Sequence, residues 1–168
     1  MSMFIYRGGP GGQSNAEMSL DKDGCFTLNV GFMDVGEGSS TVVLQMAADT
    51  LGVLPQMIRL NSGNTDNTPQ SPMTAGSTLT FSAGQAAVRA ANQLASVVIE
   101  AASEVIGLTD TEGLYITPGG VCSMGGDGVT FADLANKSGL LKTAVSVTPG
   151  SKDYIVNSFG AHFAEIEV

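Results

Sequence analysis

Two glycine- and hydroxyl-rich segments are the places in this chain where the backbone itself could bind a ligand. The first, Gly36-Glu37-Gly38, precedes Ser39-Ser40-Thr41 at a predicted helix start, and the second, Thr74-Ala75-Gly76-Ser77, precedes another. Unpaired N–H groups and the positive end of the helix dipole suit an anion at such positions, and glycine lets a phosphate approach closely. Each segment taken alone is also typical of an ordinary helix cap.

The side chains that usually carry catalysis are sparse. His162 is the only histidine, so a histidine-rich metal site cannot form, and its place on an alternating strand predicts a packed structural role. Cys25 and Cys122 are too few and too far apart for a disulfide scaffold, a four-thiolate zinc site or an iron–sulfur cluster. The spacing of the carboxylates does not show which of them meet. We therefore predict no catalytic residue and no metal ligand among the candidates Asp34, Glu37, Asp66, Glu165 and Glu167.

Composition limits the class of protein. A chain of 168 residues with 43% hydrophobic and 14% charged residues predicts one folded domain over residues 1–168. Sixteen acidic residues against seven basic ones give a net charge of −9, which repels a nucleic-acid backbone. Two cysteines suit a reducing compartment, and the first residues lack the pattern of a secretory leader. We expect a cytoplasmic protein that does not bind nucleic acid.

Hydrophobic periodicity predicts a hairpin and a helix in the first third of the chain. Apolar residues alternate over 16–20 and 26–32, on either side of the turn Asp21-Lys22-Asp23-Gly24. A helix is expected from Ser39-Ser40-Thr41, as N-cap candidates, to Gly52. A short strand at residues 58–60 then leads into a polar, aperiodic stretch, residues 61–77, of the kind often found at functional loops.

The alanine-rich segment Leu79–Ile106 predicts one long helix that is mostly buried, because apolar residues occupy nearly every face. A transmembrane span is the alternative. Arg89 alone would cost roughly 2.5–3.5 kcal/mol in a bilayer centre, and Gln85, Asn92 and Gln93 would add to that cost. A core helix is therefore expected, and no membrane partner.

The remainder predicts short strands and one short helix. Strands are expected at residues 114–117, 121–124, 144–148 and 161–168, and a helix from the capping-box sequence Thr130-Phe131-Ala132-Asp133 to Gly139. Strands and helices alternate without a regular βαβ rhythm. The predicted fold class is therefore α+β, with a mixed sheet, hairpins and one long, mostly buried central helix.

Three runs of residues are similar, in the same order, to motifs of a known family. The first is residues 34–41 with Gln45, Ala48, Leu51 and Gly52; the second is residues 64–66, Pro69, 74–77 and 84–87; the third is residues 158–168, SFGAHFAEIEV. Together they resemble the large subunits of molybdenum hydroxylases, the xanthine dehydrogenase and aldehyde oxidase family. The resemblance spans residues 31–168, and its specificity comes from the combination of the runs.

The resemblance implies part of a molybdenum-cofactor domain, in an oxidoreductase that hydroxylates an aldehyde or an N-heteroaromatic carbon with oxygen from water. The cofactor would be molybdopterin, as such or as its cytosine dinucleotide. Other domains or subunits would carry the iron–sulfur clusters, flavin and the rest of the molybdenum site. The residues that match the family's cofactor-contacting segments are Gly36, Glu37, Gly38, Thr74, Ala75, Gly76, Ser77 and Thr78.

Two departures from the family pattern shape the expectation. Glu37 stands where the family has glutamine, and a carboxylate near an anionic ligand weakens binding unless it is protonated or turned away. The family's glutamate base follows the strand at which this sequence stops, so the isolated chain is expected to be inactive and not to retain cofactor.

The alternative is a non-catalytic remnant, or an assembly or binding domain without bound cofactor. The last residues, Glu167-Val168, would form an edge strand at which the chain could pair with itself as a homo-oligomer.

Overall fold

Alternating apolar side chains build the hairpin on which the fold rests. Strands β2 (Ser14–Leu20) and β3 (Phe26–Val30) pair antiparallel, and every second residue of each is buried. The turn closes with the Asp21 N–H donating to the Cys25 carbonyl at 2.8 Å, and Gly24 takes a left-handed φ of 83°. The predicted hairpin is confirmed, because alternation places Met18 and Leu28 opposite each other in the core.

Ten further strands and α-helices accompany this hairpin in the described part of the chain. The computed structural model describes residues 1–9, 11–148 and 157–167. Around β2 and β3, the elements in chain order are β1 (Ser2–Arg7), α1 (Ser39–Leu51), β4 (Ile58–Ser62), α2 (Leu79–Ile106), β5 (Leu114–Thr117), β6 (Gly120–Ser123), β7 (Gly128–Thr130), α3 (Phe131–Ser138), β8 (Leu141–Val147) and β9 (Asn157–His162).

The strands of the described ranges form three sheets. The largest has the order β4-β3-β2-β8, in which β3 and β4 run parallel and the other pairs antiparallel. The α1 helix provides the crossover that a parallel pair requires. Strands β5, β6 and β7 form a second, antiparallel sheet, and β1 pairs with β9 in a two-stranded ribbon.

The long helix α2 is the centre of the core, with the bounds that the sequence predicts. It contacts β2, β8 and α1. Its closest packing uses alanines with 0–1% of their surface exposed: Ala83, Ala86, Ala87, Ala90 and Ala91. A Cβ placed on Gly84 would lie 2.8 Å from the end of the Met46 side chain on α1, so Met46 would have to move to make room for a larger residue. The α+β class with a central helix is confirmed.

Among the described residues, every helix is too short or too polar to span a lipid bilayer.

Both ends of the described chain differ from the prediction. The final strand covers Asn157–His162 rather than 161–168, because it pairs over six residues with β1, from Ser2 opposite His162 to Arg7 opposite Asn157. Residues 163–167 have no regular structure, and Val168 lies outside the described residues. The expected edge strand at Glu167 is therefore wrong, and strand β1 was missed because its apolar run alternates weakly with polar residues.

Residues 63–77, which contain neither strand nor helix, are fastened to the sheet at their middle. Gly31 lies directly against the Pro69 carbonyl. Asn15 Nδ2 donates to the Gln70 carbonyl at 2.6 Å, and the hydroxyls of Ser14 and Ser71 are 3.3 Å apart. These contacts carry the loop along the end of the hairpin toward the start of α2.

Replacing Leu94 with alanine tests the central place of α2. Leu94 is fully buried, so the substitution removes packed methyl groups and should lower the free energy of unfolding by about 2–5 kcal/mol. Denaturant titration measures the change. The control Leu140→Ala removes the same atoms from a side chain that is 74% exposed, and it should alter stability by about 0.5 kcal/mol or less. Equal small effects would contradict the packing described here.

Gly31→Ala tests the attachment of the loop. The added methyl group would overlap the Pro69 carbonyl oxygen, and such overpacking should lower the free energy of unfolding by about 1–3 kcal/mol. Gly119→Ala is the control, since its nearest neighbour would be 3.9 Å away. Amide chemical shifts should move around Pro69–Ser71 in the first variant only; unchanged shifts there would refute the contact.

Candidate functional site

The two segments singled out in the sequence line one cleft of about 370 Å³. The Thr74 hydroxyl donates to the Met33 carbonyl at 2.6 Å, which ties the loop before α2 to the chain before α1. Glu37 lines the cleft from the α1 side, as do Val35 and Ser39. The other side is formed by residues 74–80, which include all the predicted positions from Thr74 to Thr78. Predicted residues Gly36 and Gly38 belong to the adjoining loop but are not lining residues.

The start of α1 already has an anion of its own, the carboxylate of Asp34. Its Oδ1 accepts from the N–H groups of Gly36 at 2.9 Å and Gly38 at 3.3 Å, and its Oδ2 accepts from the Ser40 N–H at 2.9 Å. These N–H donors lower the pKa of Asp34 to about 2, with the Ser40 bond contributing most. The amides that the sequence suggested for a phosphate are therefore bound to a side chain.

The N-cap of α1 also differs from expectation. Gly38, with a φ of 82°, is the N-cap, rather than one of the hydroxyl residues that follow it. The Ser39 hydroxyl donates to Glu37 Oε1, and the Val35 N–H donates to Glu37 Oε2 at 2.8 Å. The Glu37 carboxylate is thus turned toward its own loop, which is the arrangement under which a carboxylate at this position is tolerable beside an anion.

The start of α2 is open by comparison. Gly76 and Ser77 take left-handed φ values of 65° and 55°. Within the described residues, the N–H groups of Gly76, Ser77 and Thr80 have no hydrogen-bond partner in the protein. The Thr78 hydroxyl donates to the Ala75 carbonyl at 2.9 Å. Unpaired N–H groups at the positive end of a helix can receive an anionic group of a ligand.

A third segment, which the sequence reasoning missed, runs beside the start of α2. The Tyr6 hydroxyl would lie 3.8 Å from a Cβ on Gly76, and a Cβ on Gly11 would lie 3.1 Å from the Cβ of Thr78. The available signal was the apolar run of residues 3–6, followed closely by glycines. The Tyr6 hydroxyl of strand β1 therefore lies near Gly76, on the side of the cleft where the N–H groups are free.

The remaining candidates lie away from this cleft. Asp66, Glu165 and Glu167 are exposed and do not line it. His162 is exposed rather than packed, because the ribbon of β1 and β9 is not covered by the core. Its ring stacks on Phe4, with the ring centroids 5.2 Å apart. Across the described part of the chain, no group of three or more histidine, cysteine, aspartate or glutamate side chains could hold a metal ion.

Comparison with known proteins indicates a molybdopterin-binding domain, as the motifs of the sequence do. A family model described as molybdopterin cofactor-binding domain matches residues 1–168. Among curated proteins, the probable hypoxanthine oxidase XdhD of Escherichia coli K12 is 33% identical over 160 residues, which are 93% of this chain and 16% of that protein. The chain therefore spans about a sixth of that relative's length.

Solved structures share the fold. Quinoline 2-oxidoreductase from Pseudomonas putida 86 matches with a TM-score of 0.74 and 22% identity, over 95% of this chain and 23% of that one. Reconstituted CO dehydrogenase from Oligotropha carboxidovorans matches with a TM-score of 0.76 and 22% identity, over 94% and 22% of the two chains. With its sequence motifs, its fold and a family match over its full length in agreement, the chain belongs to the molybdopterin cofactor-binding domains of the xanthine dehydrogenase and aldehyde oxidase family.

Proposed function

We propose that the cleft between the starts of α1 and α2 binds molybdopterin, as part of a molybdenum hydroxylase acting on an aldehyde or an N-heteroaromatic carbon. The observation that carries the proposal is the cleft itself, because the two motif segments meet there although about 35 residues separate them in sequence. The proposed cofactor-binding residues in the wall of the cleft are Glu37, Thr74, Ala75, Gly76, Ser77 and Thr78. Gly36 and Gly38 complete the proposed set from the loop beside the cleft.

The two ends of the cleft suit different parts of the cofactor. Asp34 and Glu37 place negative charge at the α1 end, which repels a phosphate. The α2 end offers the free N–H groups of Gly76 and Ser77, and none of the residues lining the cleft is a lysine or arginine. The residues present therefore fit a group that carries a phosphate, since the N–H groups at the α2 end would receive an anion in place of side-chain cations.

When bound, the cofactor supplies the chemistry of inserting a water-derived oxygen at an electron-poor carbon. The residues of this chain would bind and orient it, and the Glu37 carboxylate in the cleft wall is itself held by hydrogen bonds from Val35 and Ser39. We propose that iron–sulfur clusters, flavin and the rest of the molybdenum site lie on other domains or subunits of a cytoplasmic enzyme, and that this chain alone is inactive.

A cofactor-free binding or assembly domain is the second candidate. The observation in its favour is the occupied start of α1, where Asp34 bonds to three N–H groups that a phosphate would otherwise use. Under this alternative the loop is complete without any ligand.

Cofactor content separates the two candidates. The chain should be purified after co-expression with the machinery for cofactor synthesis, and its molybdenum measured by mass spectrometry and its pterin by the fluorescence of the oxidised derivative. The proposal expects both in comparable molar amounts before dialysis and their loss, in large part, on dialysis, because the rest of the molybdenum site is proposed to lie on other domains or subunits. Cytidine monophosphate released on hydrolysis would identify the dinucleotide form. A purified chain without molybdenum or pterin would support the cofactor-free domain.

Replacing Glu37 with glutamine, the residue that the resembling family carries, should strengthen cofactor binding. The substitution removes one negative charge from the cleft, and for an exposed charge the expected gain in pterin retained after dialysis is about two- to fivefold. Glu100→Gln removes the same charge from an exposed position on α2 outside the cleft, and it should leave retention unchanged. Equal retention in both variants would show that Glu37 does not face the ligand.

A further inference from the structure

The Gly36–Gly38 part of the loop between β3 and α1 has little packing around it. Gly36 and Gly38 take φ values of 106° and 82°, and a Cβ on either would have no atom within 4 Å. Val35 between β3 and these glycines is 69% exposed. A segment with two left-handed glycines and little packing around them depends on its hydrogen bonds for a fixed conformation.

Those hydrogen bonds converge on one side chain whose own backbone is anchored. Asp34 follows Phe32, which is 1% exposed in the core, by two residues. Its carboxylate accepts from Gly36 and Gly38, the residues on either side of Glu37, and from Ser40 in the first turn of α1. Asp34 therefore connects the end of the buried strand region, the loop and the helix.

We propose that Asp34 is a positioning residue, which fixes the Gly36–Gly38 loop and thereby aims the Glu37 side chain along the wall of the cleft. Asp34 is not among the lining residues, so it acts through its neighbours and does not touch the ligand. The ligand named here rests on the proposed function, whereas the control of the loop by Asp34 does not.

A charged carboxylate suits this task better than an amide. Its two oxygens serve three N–H donors, and a negative charge at the start of a helix is stabilised by the helix dipole. Because the pKa of Asp34 is lowered to about 2, the loop should stay fixed from neutral pH down to about pH 4 and loosen as the pH falls toward 2. Glu37 is the other titratable group of this loop.

Amide hydrogen exchange on the full chain without ligand tests the proposal at pH 6, with Asp34→Asn compared with the control Asp49→Asn. Asp49 is exposed on the same helix and, within the described residues, its side chain makes no hydrogen bond. In Asp34→Asn, exchange at Gly36, Gly38 and Ser40 should rise by about tenfold or more, while the core amides of Leu28 and Leu94 stay protected.

Two readouts separate positioning from a purely structural cap. The Val35 N–H donates to Glu37 and not to Asp34, so its faster exchange in Asp34→Asn would show that the Glu37 side chain has been released. Asp34→Glu keeps the charge on a longer arm and should restore most of the protection at Val35.

Unchanged exchange at Val35, or a uniform rise that includes Leu28 and Leu94, would overturn the proposal. Pterin content measured beside these experiments tests the proposed function separately. A wild-type chain that carries no pterin even before dialysis, but whose loop still loosens in Asp34→Asn, would count against molybdopterin as the ligand and leave the positioning role of Asp34 intact.

Discussion

The central helix packs closely against its neighbours, and this packing fixes the positions of the sheet and of α1 around it. The alanines of α2 lie against the sheet with almost no exposed surface, and the Met46 side chain of α1 packs against Gly84 of α2. Small residues in these positions bring the backbones close, so that even the hydroxyl of Thr143 on β8 reaches the Ala90 carbonyl at 3.2 Å. Larger side chains would separate the layers.

That packing explains which elements could be predicted from the sequence. The hairpin of β2 and β3 was predictable because one face of each strand is buried, so that apolar and polar residues alternate. The helix at Leu79–Ile106 was predictable because it is apolar over most of its surface, as a buried helix is. The helix at Phe131–Ser138 was predictable from local chemistry, since Thr130 accepts from the Asp133 N–H as a capping residue. The ribbon of β1 and β9 was not predictable, because Met3, Ile5 and Phe159 are more than 70% exposed and pairing across the whole chain sets its register.

The site shows the same division. Motif resemblance indicated the two segments, and the structure brings them to one cleft. Chemistry at a helix start cannot be read from the helix start alone, however: Asp34 lies four residues before the N-cap at Gly38 and still takes three of the N–H groups there. The residue type of Asp34 shows that a hydrogen-bond acceptor is present. The loop conformation decides whether that carboxylate takes the N–H groups or leaves them free for a ligand.

The length of α2 has a mechanical consequence for the cleft. Its 28 residues form a rod of about 42 Å, and this rod contacts the four-stranded sheet, α3 and the sheet of β5 to β7. A tilt of about 5° around the middle of a helix this long would displace its first residue by about 2 Å. The position of the cleft residues at the start of α2 therefore depends also on the packing at the other end of the helix. A substitution near Ile106 can displace Ser77 without contacting it.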